Sequence, residues 1–133
     1  MERIVNEMVA DRLDGSRPLR LEHPGWNDVS AAIKALDGFH RTEVCLMKKD
    51  VDGRTVWGGF EGRYMCEIIS EERIETLRNP KALEESEVPI MEGDDADLFP
   101  ATWTVDLDTV LKAAQTFFEK GVSDETLHWE VRR

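Results

Sequence analysis

An α+β fold is predicted here: an antiparallel sheet of about five to six strands with two main helices packed on it. Two observations lead to it. Apolar residues recur at helical spacing in two separate stretches, and between them three strand-like segments follow one another through turns too short for parallel crossovers. At 133 residues and 41% hydrophobic content the chain suffices for one core and not comfortably for two, so residues 1–133 are expected to form a single domain.

The elements follow in order. Residues 2–9, ERIVNEMV, are expected to form a first strand with Ile4 and Met8 inward. Asp11 to Gly25 is rich in turn formers (Asp14-Gly15, Pro18, Pro24-Gly25) and reads as a loop. Trp26, Val29, Ile33 and Leu36 stand at i, i+3, i+7 and i+10, which defines a first amphipathic helix closed by Asp37-Gly38.

A meander comes next. Glu43 to Lys48 has a continuous apolar centre, Asp50 to Gly53 forms a hairpin turn, and Arg54 to Phe60 and Arg63 to Ile69 supply two more strands. Gly58-Gly59 marks either a bulge or a close approach by a neighbouring element. Glu71 to Leu77 is open between a strand and one helical turn. Val88 to Met91 is a short edge strand because of Pro89, Gly93 to Asp97 is a loop, and Leu98 to Val105 is extended.

The second helix has both ends written in the sequence. Asp106 is placed to accept from free amides of the first turn, Asp108 favours the positive end of the helix dipole, and Gly121 suits the left-handed residue past the end. Val110, Leu111, Ala114, Phe117 and Phe118 fall on one face, whose burial contributes on the order of 8 kcal/mol before chain entropy is counted. A short strand ending near Trp129 completes the chain.

Charge is the most informative global property. There are 28 acidic and 17 basic residues, for a net charge of −11, which argues against a phosphate-binding surface. The acidity is local. Between Lys81 and Lys112 there is no Lys or Arg, while Glu84, Glu85, Glu87, Glu92, Asp94, Asp95, Asp97, Asp106 and Asp108 all fall there. Acidic runs are more often solvated loops than sites. This one contains Val88, Pro89, Ile90 and Met91 and is followed by Leu98 and Phe99, which anchor it to the fold. An anchored acidic ridge is suited to a basic partner.

Catalytic apparatus is not evident. His23, His40 and His128 lack metal-ligand spacing, and no HExxH, GxSxG, P-loop or GxGxxG occurs, so neither a metal nor a cofactor is expected. Cys45 and Cys66 read as buried free thiols, Asp50 and Asp52 as turn formers, and Trp26, Trp57, Trp103 and Trp129 as core or its margin. No apolar run reaches 18 residues and the N-terminus is too charged for a signal peptide, so a cytoplasmic protein without membrane contact is expected.

The order of elements, with VWGGFEGRYMCEI, an acidic loop, LFPATWTVDLDTVLKAAQTFFEKGV and a final LHWE, resembles the first-numbered family of immunity proteins from bacterial polymorphic toxin systems. One type in that family blocks a toxin that deaminates double-stranded DNA. The likeness spans about residues 26–130 and rests most on Gly58, Gly59, Gly62, Tyr64, Ala113, Ala114, Phe117, Phe118, Gly121 and Trp129. It implies an α+β fold, no enzymatic activity and tight binding to a cognate toxin domain. Where a Gly-Gly-Gln-like turn is expected near Gly93, this chain has Glu92-Gly93-Asp94-Asp95.

The expected partner is therefore a toxin's catalytic domain with a basic surface, met by a protein that is most simply a monomer. Contact is assigned to Glu84, Glu85, Glu87, Glu92, Asp94, Asp95 and Asp97, with Trp103 as an aromatic anchor. An acidic adaptor, chaperone or nucleic-acid mimic is the alternative. A small α+β enzyme ranks third and would need a pocket lined by His40, Asp50 or Glu67.

Overall fold

A computed structural model describes residues 4–12, 17–48, 52–83, 85–92 and 95–133. Among these the strands are β1 (Glu7–Ala10), β2 (Leu19–Glu22), β3 (Glu43–Lys48), β4 (Asp52–Gly58), β5 (Tyr64–Ile69), β6 (Ile74–Arg78), β7 (Glu87–Glu92), β8 (Asp95–Pro100) and β9 (His128–Arg132). The helices are α1 (Trp26–Lys34) and α2 (Leu107–Lys120). One antiparallel sheet of seven strands runs in the order β2-β1-β3-β4-β5-β6-β9, and β7 pairs with β8 alone. The α+β class is as expected, with more strands than the five to six anticipated.

Strand register decides what the helices cover. Met8, Leu46, Arg54 and Ile68 form one cross-strand row, and Ala10, Val44, Val56 and Cys66 the next. All eight side chains are buried, in a core shared with Val29 and Ile33 of α1 and Val110, Ala113, Ala114 and Phe117 of α2. The helices also meet each other, with the Trp26 and Phe118 rings 5.9 Å apart. Three further tryptophans behave as core margin or outside it: Trp57 and Trp129 are half-buried and Trp103 is exposed.

Arg54 is an unusual member of this core. It is wholly buried, with its guanidinium 5.5 Å from the Phe117 ring and 5.3 Å from the Trp129 ring. Its Nε and Nη2 donate to the Cys66 sulfur at 3.0 and 2.6 Å. Burial pushes the Cys66 thiol above its ordinary pKa, against the opposing pull of Arg54. Cys66 is thus a buried free thiol as expected, whereas Cys45 is only half-buried.

The local signals for α2 are realised. Asp106 accepts from the Thr109 amide at 2.8 Å, Asp108 lies in the first turn, and Gly121 has φ 74°. Gly58-Gly59 resolves in favour of a close approach: a Cβ on Gly59, at φ 98°, would lie 2.3 Å from the carbonyl oxygen of Leu36, just past α1. Only glycine lets the chain that leaves α1 sit directly on the sheet end at this point.

Several expectations are corrected. The first strand starts at Glu7, and Val5 rather than Ile4 is fully buried, because the strand follows an irregular entry. The Asp11–Gly25 loop contains β2, whose pairing with β1 outweighs its weak local signal. The helix α1 ends at Lys34, before Asp37-Gly38, and Asp37 instead accepts from the amides of Phe39, His40 and Arg41. Strand β4 stops at Gly58, and Phe60 lies in a 3-10 turn, Phe60–Gly62. The segment Glu71 to Leu77, left open between strand and helical turn, holds most of a strand, β6, which starts at Ile74 and runs to Arg78. The expected Gly93–Asp97 loop shrinks because β8 already begins at Asp95, and the end of the expected extended segment is a second 3-10 turn, Ala101–Trp103. Of the expected turn from Asp50 to Gly53, Asp52 and Gly53 belong to β4, paired with Lys48 and Met47, while Asp50 and Val51 lie outside the described residues.

Candidate partner-binding surface

The helices leave the opposite face of the seven-stranded sheet to other elements. Met65 alternates with Tyr64 and Cys66 and so points to that face, yet it is buried. The β7–β8 hairpin packs on the body through β7, which rests on β4 and on the 3-10 turn Phe60–Gly62, and Val88 and Ile90 are buried. Thus Val88 and Ile90 anchor the acidic segment as its composition suggested, whereas Leu98, also expected to anchor it, is exposed.

The hairpin is asymmetric. Strand β7 faces the body, while Ala96, Asp97 and Leu98 of β8 are exposed one after another. Its root is pinned by the Asn79 amide donating to the Thr102 carbonyl at 2.7 Å and by the mutual backbone bonds of Tyr64 and Val105, both 2.9 Å. The arm is therefore an outgrowth held at both ends, with β8 on its outer side.

The candidate acidic residues distribute along this arm. Glu85 is exposed in the turn before β7, Glu87 is exposed at the start of β7 opposite Pro100, and Asp97 is exposed on β8 opposite Ile90. Glu92 and Asp95 close the ladder opposite each other. Glu84 and Asp94 lie outside the described residues. Asp106, at the tail of the base-free stretch, is engaged in capping α2: the Thr109 hydroxyl and amide hold its carboxyl below the ordinary range. The ridge proper therefore ends at Asp97.

Trp103 sits at the hairpin root in the Ala101–Trp103 turn. The Arg78 guanidinium lies 4.5 Å from its ring centroid and the Phe99 ring 6.2 Å away. Arg78 is in turn bonded to Glu130 at 2.5 Å, so the indole is tied to β6 and β9 rather than standing free. It is 36% exposed, against 74% for Leu83 and 65% for Leu98. These last two are the most exposed large apolar side chains among the described residues, and both flank or lie within the acidic stretch. Neither was singled out from the sequence as a contact. Leucine at a strand position normally reads as an inward anchor, and only the register, which sets Leu98 opposite Pro89 and out of phase with Val88 and Ile90, shows otherwise.

Other candidate chemistry is dispersed. His23, His40 and His128 are each exposed, and no group of three or more His, Cys, Asp or Glu is placed to hold a metal among the described residues. One open cleft lies between the β5–β6 turn and the C-terminal end of α2, lined by Lys48, Arg73, Glu75, Phe117 and Ser123 among others. A second lies between α1 and β1–β3, near Asp11, Asp28 and Arg41. His40 and Glu67 line neither of them, and Asp50 is outside the described residues. No helix among the described residues is long and apolar enough to cross a membrane.

The surface is thus an acidic, base-poor arm carrying two solvent-facing leucines, mounted on a sheet whose other side is filled by the helices. Compared with known proteins, the chain has no match among curated ones. The family model described as Immunity protein Imm1 matches it over residues 19–131.

Proposed function

From the premise that this chain belongs to the Imm1 family of immunity proteins, we propose that it neutralises a nucleic-acid-targeting toxin by laying the β7–β8 arm over the toxin's active site or substrate channel. The observation that carries this reading is the coincidence of charge and exposed apolar surface on one element. Glu85, Glu87 and Asp97 are exposed there beside Leu98, in a stretch with no Lys or Arg from 82 to 111.

A toxin that handles DNA or RNA presents Lys and Arg to phosphates. Carboxylates engage the same groups, so an acidic arm occupies the substrate's place. Complementary charge accelerates encounter and rejects wrong partners, while a few desolvated apolar anchors hold the complex. Within this reading Glu84, Glu92, Asp94 and Asp95 add to the acidic surface, and Trp103 closes its root. The protein acts by binding and carries no catalytic group of its own.

The test is the triple charge reversal Glu85→Lys, Glu87→Lys and Asp97→Lys. Association with the cognate toxin domain should slow by about tenfold or more at low salt, with a weaker salt dependence and less protection of toxin-expressing cells. An unchanged association rate would remove the arm from the interface.

A further inference from the structure

Backbone geometry of the hairpin carries the reading one step further. In an antiparallel ladder, directly opposed pairs alternate between those that exchange hydrogen bonds and those whose amides and carbonyls point away from each other. The Ala101 amide donates to the Ser86 carbonyl at 2.7 Å, which makes Ser86 and Ala101 a bonded pair. Counting along the register, Val88 with Phe99, Ile90 with Asp97 and Glu92 with Asp95 are bonded too. Glu87 with Pro100, Pro89 with Leu98 and Met91 with Ala96 belong to the other set. Both prolines fall in that set, where a missing N–H takes nothing from the hairpin.

It follows that the N–H and C=O groups of Ala96 and Leu98 point outward from β8. Among the described residues no strand pairs with that side. The corresponding edge of β7 is interrupted by Pro89 and β7 itself lies on the body. The edges of the large sheet differ in charge: β2 carries Arg20 and β9 carries His128 and Arg132. Strand β8, like β7, has only acidic charged residues, Asp95 and Asp97, and it is the one of the two that faces outward. A second copy of β8 would bring carboxylate onto carboxylate, so the charge selects against self-pairing and for a basic strand.

We infer that the outer edge of β8 is a docking edge, to which the toxin adds a strand bearing Lys or Arg, by main-chain bonds to Ala96 and Leu98 with the Leu98 side chain as apolar anchor. This rests on the proposed function above, and it specifies the mode of contact. Strand addition supplies affinity through the backbone and leaves side chains at alternate positions to set specificity. Acidic guards on an open edge then serve two ends, since they keep identical molecules apart and admit a cationic strand.

The variant Ala96→Pro removes one outward N–H and takes no bond from the hairpin. Its affinity for an inactivated form of the cognate toxin domain should fall by about tenfold or more, with the urea midpoint unchanged. In the wild-type complex the amides of Ala96 and Leu98 should gain hydrogen-exchange protection. Wild-type affinity for Ala96→Pro, or amides that exchange as in the free protein, overturns the docking edge. If Asp97→Lys still slows association in that case, the acidic arm survives as the contact surface. If Asp97→Lys is also silent, the proposed function falls with it. Should Ala96→Pro lower the urea midpoint, the exchange measurement on the unmodified chain decides.

Discussion

The two faces of the seven-stranded sheet are covered in opposite ways. On one, α1 and α2 bury Val29, Ile33, Val110, Ala114 and Phe117 completely against Leu46, Val56 and Arg54. On the other, a two-stranded arm buries Val88 and Ile90 among its described β7 side chains and turns Ala96, Asp97 and Leu98 outward. The first face has large side chains in continuous contact and no room for exchange. The second is attached through a narrow apolar footprint, so most of its surface is available to a partner. Under the proposed function, stability and recognition fall on different sides of one sheet, and variants on the two sides should differ in kind.

The largest effect is expected from Phe117→Ala, which empties a fully buried site and removes one ring from beside Arg54. It should cost about 3–5 kcal/mol in urea unfolding. A cost below about 1 kcal/mol would mean that the helical face is less tightly packed than its burial indicates.

An intermediate effect is expected at Asp124, which joins α2 to the segment before β9. Its carboxylate accepts from the Thr126 hydroxyl and amide and from the Thr116 hydroxyl, at 2.6, 2.9 and 2.8 Å. The Thr126 hydroxyl is the leading cause that holds its pKa below the ordinary carboxylate value, against a desolvation that raises it. A lowered folded-state pKa means stability that is present above the unfolded value, near 4, and is lost as pH falls through the folded one. Asp124→Asn should therefore cost about 1 kcal/mol at pH 7 and flatten the acid side of the urea-midpoint profile. An unchanged profile below pH 4 would show that this junction does not contribute.

The smallest effect is expected from Leu98→Ala. At an exposed position it should change unfolding free energy by less than about 0.5 kcal/mol. A larger loss would show that the arm is part of the structural core, and the division between the faces would no longer hold.

Much of the helical face was legible because its signals are local. The cap at Asp106, the stop at Gly121 and the spacing of Val110, Ala114 and Phe117 lie within one stretch, and the apolar centre of β3 needs no distant partner to be recognised. The arm was harder to read. The sequence Asp95-Ala96-Asp97 has poor strand propensity and reads as a loop, and it becomes β8 only by pairing with Glu92, Met91 and Ile90. The same holds for β2, four residues after Pro18 that are ordered by β1. Arg54 could not be singled out, since arginine is seldom fully buried and its surroundings of Phe117, Trp129 and Cys66 converge from distant parts of the chain. Among the candidate contacts, exposure of Glu85, Glu87 and Asp97 followed from composition, whereas exposure of Leu98 required the register.

The bond from the Asn79 amide to the Thr102 carbonyl makes the chain from 80 to 101 a loop whose two ends meet at the sheet. Loop closure grows only slowly with length, by about 0.6 kcal/mol per doubling. The arm can therefore change in length at little entropic cost to the sheet and helices that carry it, provided that side chains like Val88 and Ile90 keep their buried places. Such a junction is a socket: under the proposed function, a hairpin from another member of the family, grafted between Asn79 and Thr102, should bring its choice of toxin to this body.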